Sequence, residues 1–181
     1  MPPSEFDLIY RYFSSLGAGP AVDLSVGDDC AILRLEPSER LATSVDTVVE
    51  GVHFPADMFP EDLAFRAVSV AASDLAAMGA LPAWATLALT VPRSDEAWLT
   101  EFSKGFAHLA VAHGVALVGG DTTRGPLTIS VQVHGLIPQG EAVRRGGAHI
   151  GDLVCVSGTL GDAGLALRRL SAGERVSDYL R

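Results

Sequence analysis

The sequence predicts a mixed α/β domain. Segments with apolar residues at helical spacing, opened by acidic caps and closed by glycines, alternate with short apolar runs that carry strand patterning. The chain has 181 residues, enough for one domain or for one domain and part of a second. Its hydrophobic fraction of 48% is that of a globular protein and excludes disorder.

The elements follow in order. Ser4-Glu5-Phe6-Asp7 has the form of an acidic capping box, and Phe6, Ile9, Tyr10 and Phe13 then recur as one helical stripe that Gly17 stops. Residues Gly17 to Gly27 read as a loop. Ala31 to Leu35 and Leu41 to Val45 are short strands around the turn Glu36-Pro37-Ser38-Glu39. Pro60-Glu61-Asp62 opens a second helix, with its acidic residues favourable at the N-terminus. Its stripe runs through Leu63, Ala67, Val70, Ala71 and Met78 to Gly79. Ala83 to Val91 shows little alternation and predicts a strand covered on both faces.

Ser94-Asp95-Glu96 caps a third helix that buries Leu99, Phe102, Phe106, Leu109 and Ala110 and stops at Gly114. Val115 to Val118 is a strand running into Gly119-Gly120-Asp121. Leu127, Ile129, Val131 and Val133 alternate with Thr128, Ser130, Gln132 and His134, which predicts a half-buried strand with His134 on its polar side. Arg144-Arg145-Gly146-Gly147 reads as a linker, Asp152 to Val156 as the start of a strand, and Gly161 to Leu170 as a helix. A boundary is therefore expected between residues 138 and 151. It separates an N-terminal domain, 1–139, from a segment, 140–181, that is too short for a core of its own and begins a second domain.

Composition narrows the function. Thirteen basic against 22 acidic residues give a net charge of −9, which argues against general binding to nucleic-acid phosphates. Lys104 is the single lysine. Cys30 and Cys155 are far apart and beside apolar residues, so two reduced, mostly buried thiols are expected, with neither a zinc motif nor a disulfide framework. Met1 to Glu5 lacks the basic start of a signal peptide. The longest uncharged stretch, Leu75 to Pro92, is interrupted by Gly79 and Pro82 and reads as helix end, turn and strand, not as a membrane span. A cytoplasmic protein is expected.

The aspartates are placed unevenly. Gly27-Asp28-Asp29 precedes one strand, Asp46 follows another, Asp121 follows Gly119-Gly120 at a strand end, and Asp74 sits on the helix stripe, where a buried carboxylate needs a partner. Each has an ordinary structural reading. Asp28-Asp29 could be turn chemistry, Asp46 an Asx turn, Asp74 the partner of Arg66 or Arg124, and Asp121 a strand terminator. As a set they form the oxygen donors of a hard-cation site, since Mg²⁺ takes carboxylates and water and bridges to phosphates. Gly119-Gly120 would let backbone N–H groups approach those phosphates. The P-loop, dinucleotide-fold and protein-kinase motifs are absent, as are H-E-x-x-H and G-x-S-x-G. His108 and His113 are five apart, off metal-pair spacing, and read as surface. His53, in a loop past Asp46, is the more informative histidine.

Five ordered motifs carry a resemblance: Gly27-Asp28-Asp29-Cys30-Ala31, Ser44-Val45-Asp46-Thr47, Gly51-Val52-His53-Phe54, Ser73-Asp74-Leu75-Ala76-Ala77-Met78-Gly79 and Gly119-Gly120-Asp121-Thr122-Thr123-Arg124-Gly125. Together they resemble the N-terminal half of the thiamine-monophosphate kinase family, within the aminoimidazole ribonucleotide synthetase and selenophosphate synthetase superfamily. The resemblance implies a mixed sheet with flanking helices that dimerises into a shared β-barrel. It implies transfer of the ATP γ-phosphoryl to thiamine monophosphate, assisted by several Mg²⁺ ions and without a catalytic side chain. Carried over position by position, Asp29, Ser44, Val45, Asp46, Asp74 and Asp121 match Mg²⁺ positions, His53 a substrate contact, and Gly120, Asp121 and Arg145 nucleotide contacts. Asp28 belongs to the motif without an assigned role. Val45 stands where the family often has Thr, so any contact there would use the backbone carbonyl. The family's C-terminal half, with a further acidic motif, lies beyond this chain. Two rival readings remain at this stage: another ATP-dependent member of the superfamily, and a non-catalytic dimerisation fragment.

Overall fold

A computed structural model describes residues 4–174 and 176. Residues 1–3, on which part of the signal-peptide reading rests, and residues 175 and 177–181 of the segment 140–181 lie outside the described residues. The chain divides into two compact units, Met1–Arg144 and Arg145–Arg181.

The first unit opens with α1, Glu5–Tyr12. Its start is the capping box the sequence predicts: the Asp7 amide donates to Ser4 Oγ at 3.2 Å and the Ser4 amide donates to Asp7 Oδ2 at 2.9 Å. The Ser4 hydroxyl and amide hold the Asp7 carboxyl below its usual value. The expected stripe is corrected, because Leu8 and Phe13 turn inward while Phe6 and Tyr10 are each 80% exposed. Tethers to the next helix but one set this rotation: Arg11 pairs with Glu96 at 3.1 Å, and Tyr12 Oη donates to the Glu96 carbonyl at 3.5 Å.

The expected loop Gly17 to Gly27 contains a strand, β1 (Val22–Leu24), which pairs antiparallel with β2 (Ile32–Leu33) as a separate two-stranded sheet. The main sheet has four strands, β3 (Glu39–Val49), β4 (Leu81–Val91), β5 (Ala116–Arg124) and β6 (Thr128–Pro138), in the order β3-β6-β4-β5. β6 is antiparallel to both β3 and β4, and β5 is parallel to β4. The parallel strands are joined by helical crossovers, α2 (Pro60–Ala77) and α3 (Glu96–His113). Both helices pack on one face of the sheet.

That face is dry. Leu87, Leu89, Ile129, Val131 and Val133 meet Leu63, Val68, Leu75, Phe102 and Phe106, all of them buried. A Leu→Ala change there would cost about 2–5 kcal/mol. Gly105 explains how the helices close on one another, since a Cβ on it would strike the Glu61 backbone of α2. Asp95 caps α3 by accepting from the Ala97 and Trp98 amides at 3.1 Å. Gly114 closes the helix in the left-handed region at φ 65°.

The opposite face carries Thr43 and Thr47 of β3 opposite His134 and Ser130 of β6. Thr47 Oγ1 and Ser130 Oγ lie 2.7 Å apart, and Gln132 Nε2 donates to Thr43 Oγ1 at 3.3 Å. Three corrections concern this sheet. β4 is covered on both faces only in its first half, where Trp84 is buried with Ala116 and Val118 against Val22 and Leu33 of the small sheet, and its second face opens at the exposed Ala88. β3 runs well past Val45, so Asp46 lies inside a strand paired with Val131. β5 continues through Gly119-Gly120-Asp121 to Arg124, because β4 supplies a parallel partner for the whole run.

In the second unit, α4 spans Asp162–Ser171 as the sequence predicts. The expected strand at Asp152 to Val156 is absent, because no neighbouring strand pairs with it. Both thiols are corrected as well: Cys30 and Cys155 are exposed.

Candidate functional site

Two acidic regions occupy opposite edges of the four-stranded sheet. The β5 edge has the open one. A cleft of about 440 Å³ brings together Gly27, Asp28 and Asp29 from the loop after β1, and Gly119 to Thr122 from β5. Its remaining lining is apolar and comes from Phe6 and Ile9 of α1, from Phe13 at the C-cap of that helix, and from Val26, Leu87 and Leu117. Gly120 is required by geometry: its φ is +152°, and a Cβ would overlap the Leu87 carbonyl oxygen of β4. A glycine here lets β5 hold its pairing while leaving the backbone open to the cleft.

The carboxylates of this cleft are exposed. Asp28 Oδ1 accepts the Asp29 amide at 2.9 Å. Among the described residues none of Asp28, Asp29 and Asp121 has an ion-pair partner. The cleft therefore concentrates negative charge on oxygen donors with no thiol or imidazole among its lining. Among the described residues no three acidic, histidine or cysteine side chains converge into a metal cage. Mg²⁺ needs no such cage, because it keeps water and binds through one or two carboxylates together with phosphate oxygens. The donor set fits that ion.

The β3 edge has the closed region. Ser44 and Asp46 share the face of β3 that looks toward α2, and both are half-buried. Ser44 Oγ donates to Asp74 Oδ2 of α2 at 2.6 Å. This hydroxyl, and neither Arg66 nor Arg124, is the partner Asp74 finds. Asp74 itself is exposed, so α2 turns it past the edge of the core instead of into it. Val45 points to the opposite face and is 62% exposed. After β3 a turn with Gly51 at φ +74° presents His53, whose Nδ1 accepts the Val49 amide at 3.1 Å. That bond fixes the ring and leaves Nε2 free to meet a ligand.

The structure thus unites Asp29, Gly120 and Asp121 in one cleft and Ser44 with Asp74 in another corner. It does not unite the two groups. β3 and β5 are three strand spacings apart, about 14 Å. Asp46 and Asp121 also face opposite sides of the sheet, since Asp46 shares a row with buried Val131 while Asp121 stands beside exposed Ala88. Arg145 is exposed and begins the second unit. Sequence reasoning missed Phe6 and Ile9 as cleft residues. Their helical spacing signalled a core stripe, and only the rotation of α1 separates a core contact from a cleft wall.

Comparison with known proteins places these features in a family. The model for AIR synthase related protein, N-terminal domain, matches residues 27–137. Thiamine-monophosphate kinase of Escherichia coli (strain K12) is 49% identical over 186 aligned positions, covering 99% of this chain and 57% of the relative. The crystal structure of thiamine-monophosphate kinase from Stenotrophomonas maltophilia K279a superposes with a TM-score of 0.81 at 48% identity, covering 85% of this chain and 49% of that one. A structure of AaThiL complexed with AMPPCP and TMP superposes with a TM-score of 0.73 at 34% identity, covering 85% and 50%. The chain spans about half the length of the relatives it matches.

Proposed function

Because the chain belongs to the AIR synthase related protein family through its N-terminal domain, we propose that it is the nucleotide- and metal-binding part of a kinase that phosphorylates thiamine monophosphate with ATP. The observation that carries this reading is the cleft in which Asp29, Gly120 and Asp121 converge, in a chain so similar to thiamine-monophosphate kinases. The AMPPCP and TMP bound by a structural relative supply the same two ligand classes.

The acceptor is a phosphate oxygen of thiamine monophosphate, already anionic at neutral pH, so no side chain need remove a proton. That oxygen attacks the γ-phosphorus of ATP in line. The bond to the β,γ-bridging oxygen breaks, and thiamine diphosphate and ADP result. The obstacle is the approach of two anions, and the chain's task is positioning. Gly120 opens the β5 backbone to the polyphosphate. Asp121 orients the nucleotide, and Arg145, in the second unit, is the nucleotide contact that the family resemblance implies there. His53, fixed by the Val49 amide, offers Nε2–H to the substrate. Asp29, Ser44, Val45 through its carbonyl, Asp46, Asp74 and Asp121 would hold Mg²⁺. When bound, the ions screen the phosphates and stabilise charge on the moving phosphoryl group.

The same reading makes residues 1–139 the ATP- and Mg²⁺-binding and dimerisation domain and 140–181 the beginning of the next, in a cytoplasmic homodimer. The outward face of the sheet supports dimerisation, with Leu41, Val45 and Leu81 exposed among its hydroxyl residues. Among the described residues no helix is long and apolar enough to cross a membrane.

Titration of the chain with Mg·ATP and with thiamine monophosphate, followed by assay for thiamine diphosphate, tests the proposal. Saturable binding of both ligands is expected. A folded chain that binds neither would overturn it, and binding of both without turnover would identify a binding module that needs the remainder of its relatives' length.

A further inference from the structure

Phe6 is an aromatic ring left 80% exposed by a helix that buries its neighbours Leu8 and Phe13. It is not adrift on the surface, because it lines the cleft that also holds Asp28, Asp29 and Gly120. The cleft therefore has two chemistries. β5 and the loop after β1 contribute carboxylates and open backbone to its lining. Helix α1 contributes an aromatic ring and the aliphatic side chain of Ile9. Its volume of about 440 Å³ lies within the range of small-molecule sites. A ligand matching both chemistries is an anionic polyphosphate joined to a flat, weakly polar ring.

We infer that Phe6 on α1 stacks on the base of the bound nucleotide, while the phosphates lie against Asp28, Asp29 and Gly120. This rests on the kinase reading above and adds a specificity residue to it. Thiamine monophosphate also carries aromatic rings. The placement favours the nucleotide, since His53, proposed for the thiamine substrate, lies past the β3 edge, whereas Phe6 faces the β5 edge with its glycine pair. Stacking reads the π-face shared by all bases, so the contact should raise affinity without choosing adenine over guanine.

The structure supplies an internal control. Tyr10 lies one helical turn further along α1 with the same 80% exposure, yet it does not line the cleft. The experiment titrates the 181-residue chain with ATP, GTP, inorganic tripolyphosphate and thiamine monophosphate, each with Mg²⁺, in wild type, Phe6→Ala, Phe6→Tyr and Tyr10→Ala. Phe6→Ala should weaken ATP and GTP alike by roughly 5- to 100-fold, the range of a lost base–aromatic stack. Tripolyphosphate and thiamine monophosphate should bind as before. Phe6→Tyr should restore the nucleotides, and Tyr10→Ala should change nothing. Unchanged ATP affinity in Phe6→Ala overturns the stacking and leaves the kinase reading in place. Equal losses for ATP and tripolyphosphate, or a loss confined to thiamine monophosphate, also overturn it. A wild-type chain that binds neither ATP nor tripolyphosphate overturns both readings.

Discussion

The two edges of the sheet hold aspartates in different ways. At β3, Ser44 and Asp46 sit on a strand backed by α2, and Asp74 is tied to Ser44 across 2.6 Å. At β5, Asp121 faces an open cleft, and Asp28 and Asp29 come from a loop, where the Asp28 carboxylate accepts from the next backbone amide. The first edge is preorganised by regular structure. The second is shaped by one glycine and completed by a helix from the chain's start. Charge alone therefore does not define the site, and each edge should fail in its own way.

The largest effect is expected at the β5 edge, from Gly120→Ala. The added methyl would overlap the Leu87 carbonyl at a backbone angle, φ +152°, that L side chains rarely adopt. A loss of about 3 kcal/mol is expected, or on the order of 10 °C in melting temperature. Nucleotide binding should go with it. A melting temperature within two or three degrees of wild type would mean that β5 can shift away from β4.

At the β3 edge His53→Ala should separate binding from stability. The ring is exposed, so water can replace it at the Val49 amide. A lost hydrogen bond to a charged phosphate costs roughly 1.5–3 kcal/mol, or about ten- to a hundredfold in affinity for thiamine monophosphate. ATP affinity should stay within about twofold. If both affinities fall together, or if the protein melts many degrees lower, the edges do not divide the ligands as described.

Asp46→Asn connects the two edges. It should weaken Mg²⁺-dependent nucleotide binding about tenfold, with little change in melting temperature, because Asp46 is half-buried at a sheet edge and not in the core. Within one chain Asp46 and the β5 cleft lie on opposite edges and faces. The effect is therefore expected only where copies associate, and it should fade on dilution as sedimentation shows dimer giving way to monomer. Calorimetry with an unchanged affinity at high protein concentration would remove Asp46 from the nucleotide site.

What could be read in advance follows the range of the interactions involved. The helices were legible as elements because their caps are local: Ser4 with Asp7, Asp95 before α3, and Gly114 after it all act within one or two turns. The ends of the strands were not. Asp46 and Gly119-Gly120-Asp121 look like terminators in a window of five residues, yet partners far along the chain, β6 and β4, carry pairing straight through them. Asp152 to Val156 shows the converse, since apolar residues without a partner make no strand. For the site, Asp28, Asp29, Gly120 and Asp121 were legible as chemistry. The rotation of α1 that brings Phe6 into their cleft was not, because it depends on tethers to Glu96 at the start of α3.

The smallest effect belongs to the strand between the edges. His134 lies on β6 with Thr43 of β3 and Trp84 of β4 as its cross-strand neighbours, neither of them charged. Its Nδ1 is buried without a hydrogen-bond partner. Burial holds the imidazole below its usual value, so the folded chain favours the neutral ring. The unfolded chain then binds more protons between the lowered folded value and the ordinary value near 6.5, and stability rises with pH through that window. The contribution is complete above about pH 7 and is lost as the medium is acidified through 6.5 toward the folded value. Melting temperatures measured from pH 7.5 to 5 in wild type and His134→Gln should therefore diverge, with wild type losing more on acidification. The difference should be a few degrees at most, because His134 as a whole is only half-buried. It should also leave ATP and thiamine monophosphate affinities at pH 7.5 untouched, since His134 belongs to neither edge. Parallel pH profiles would show that the ring finds a partner or water on protonation, and that this face of the sheet is wetter than its two cross-strand neighbours indicate.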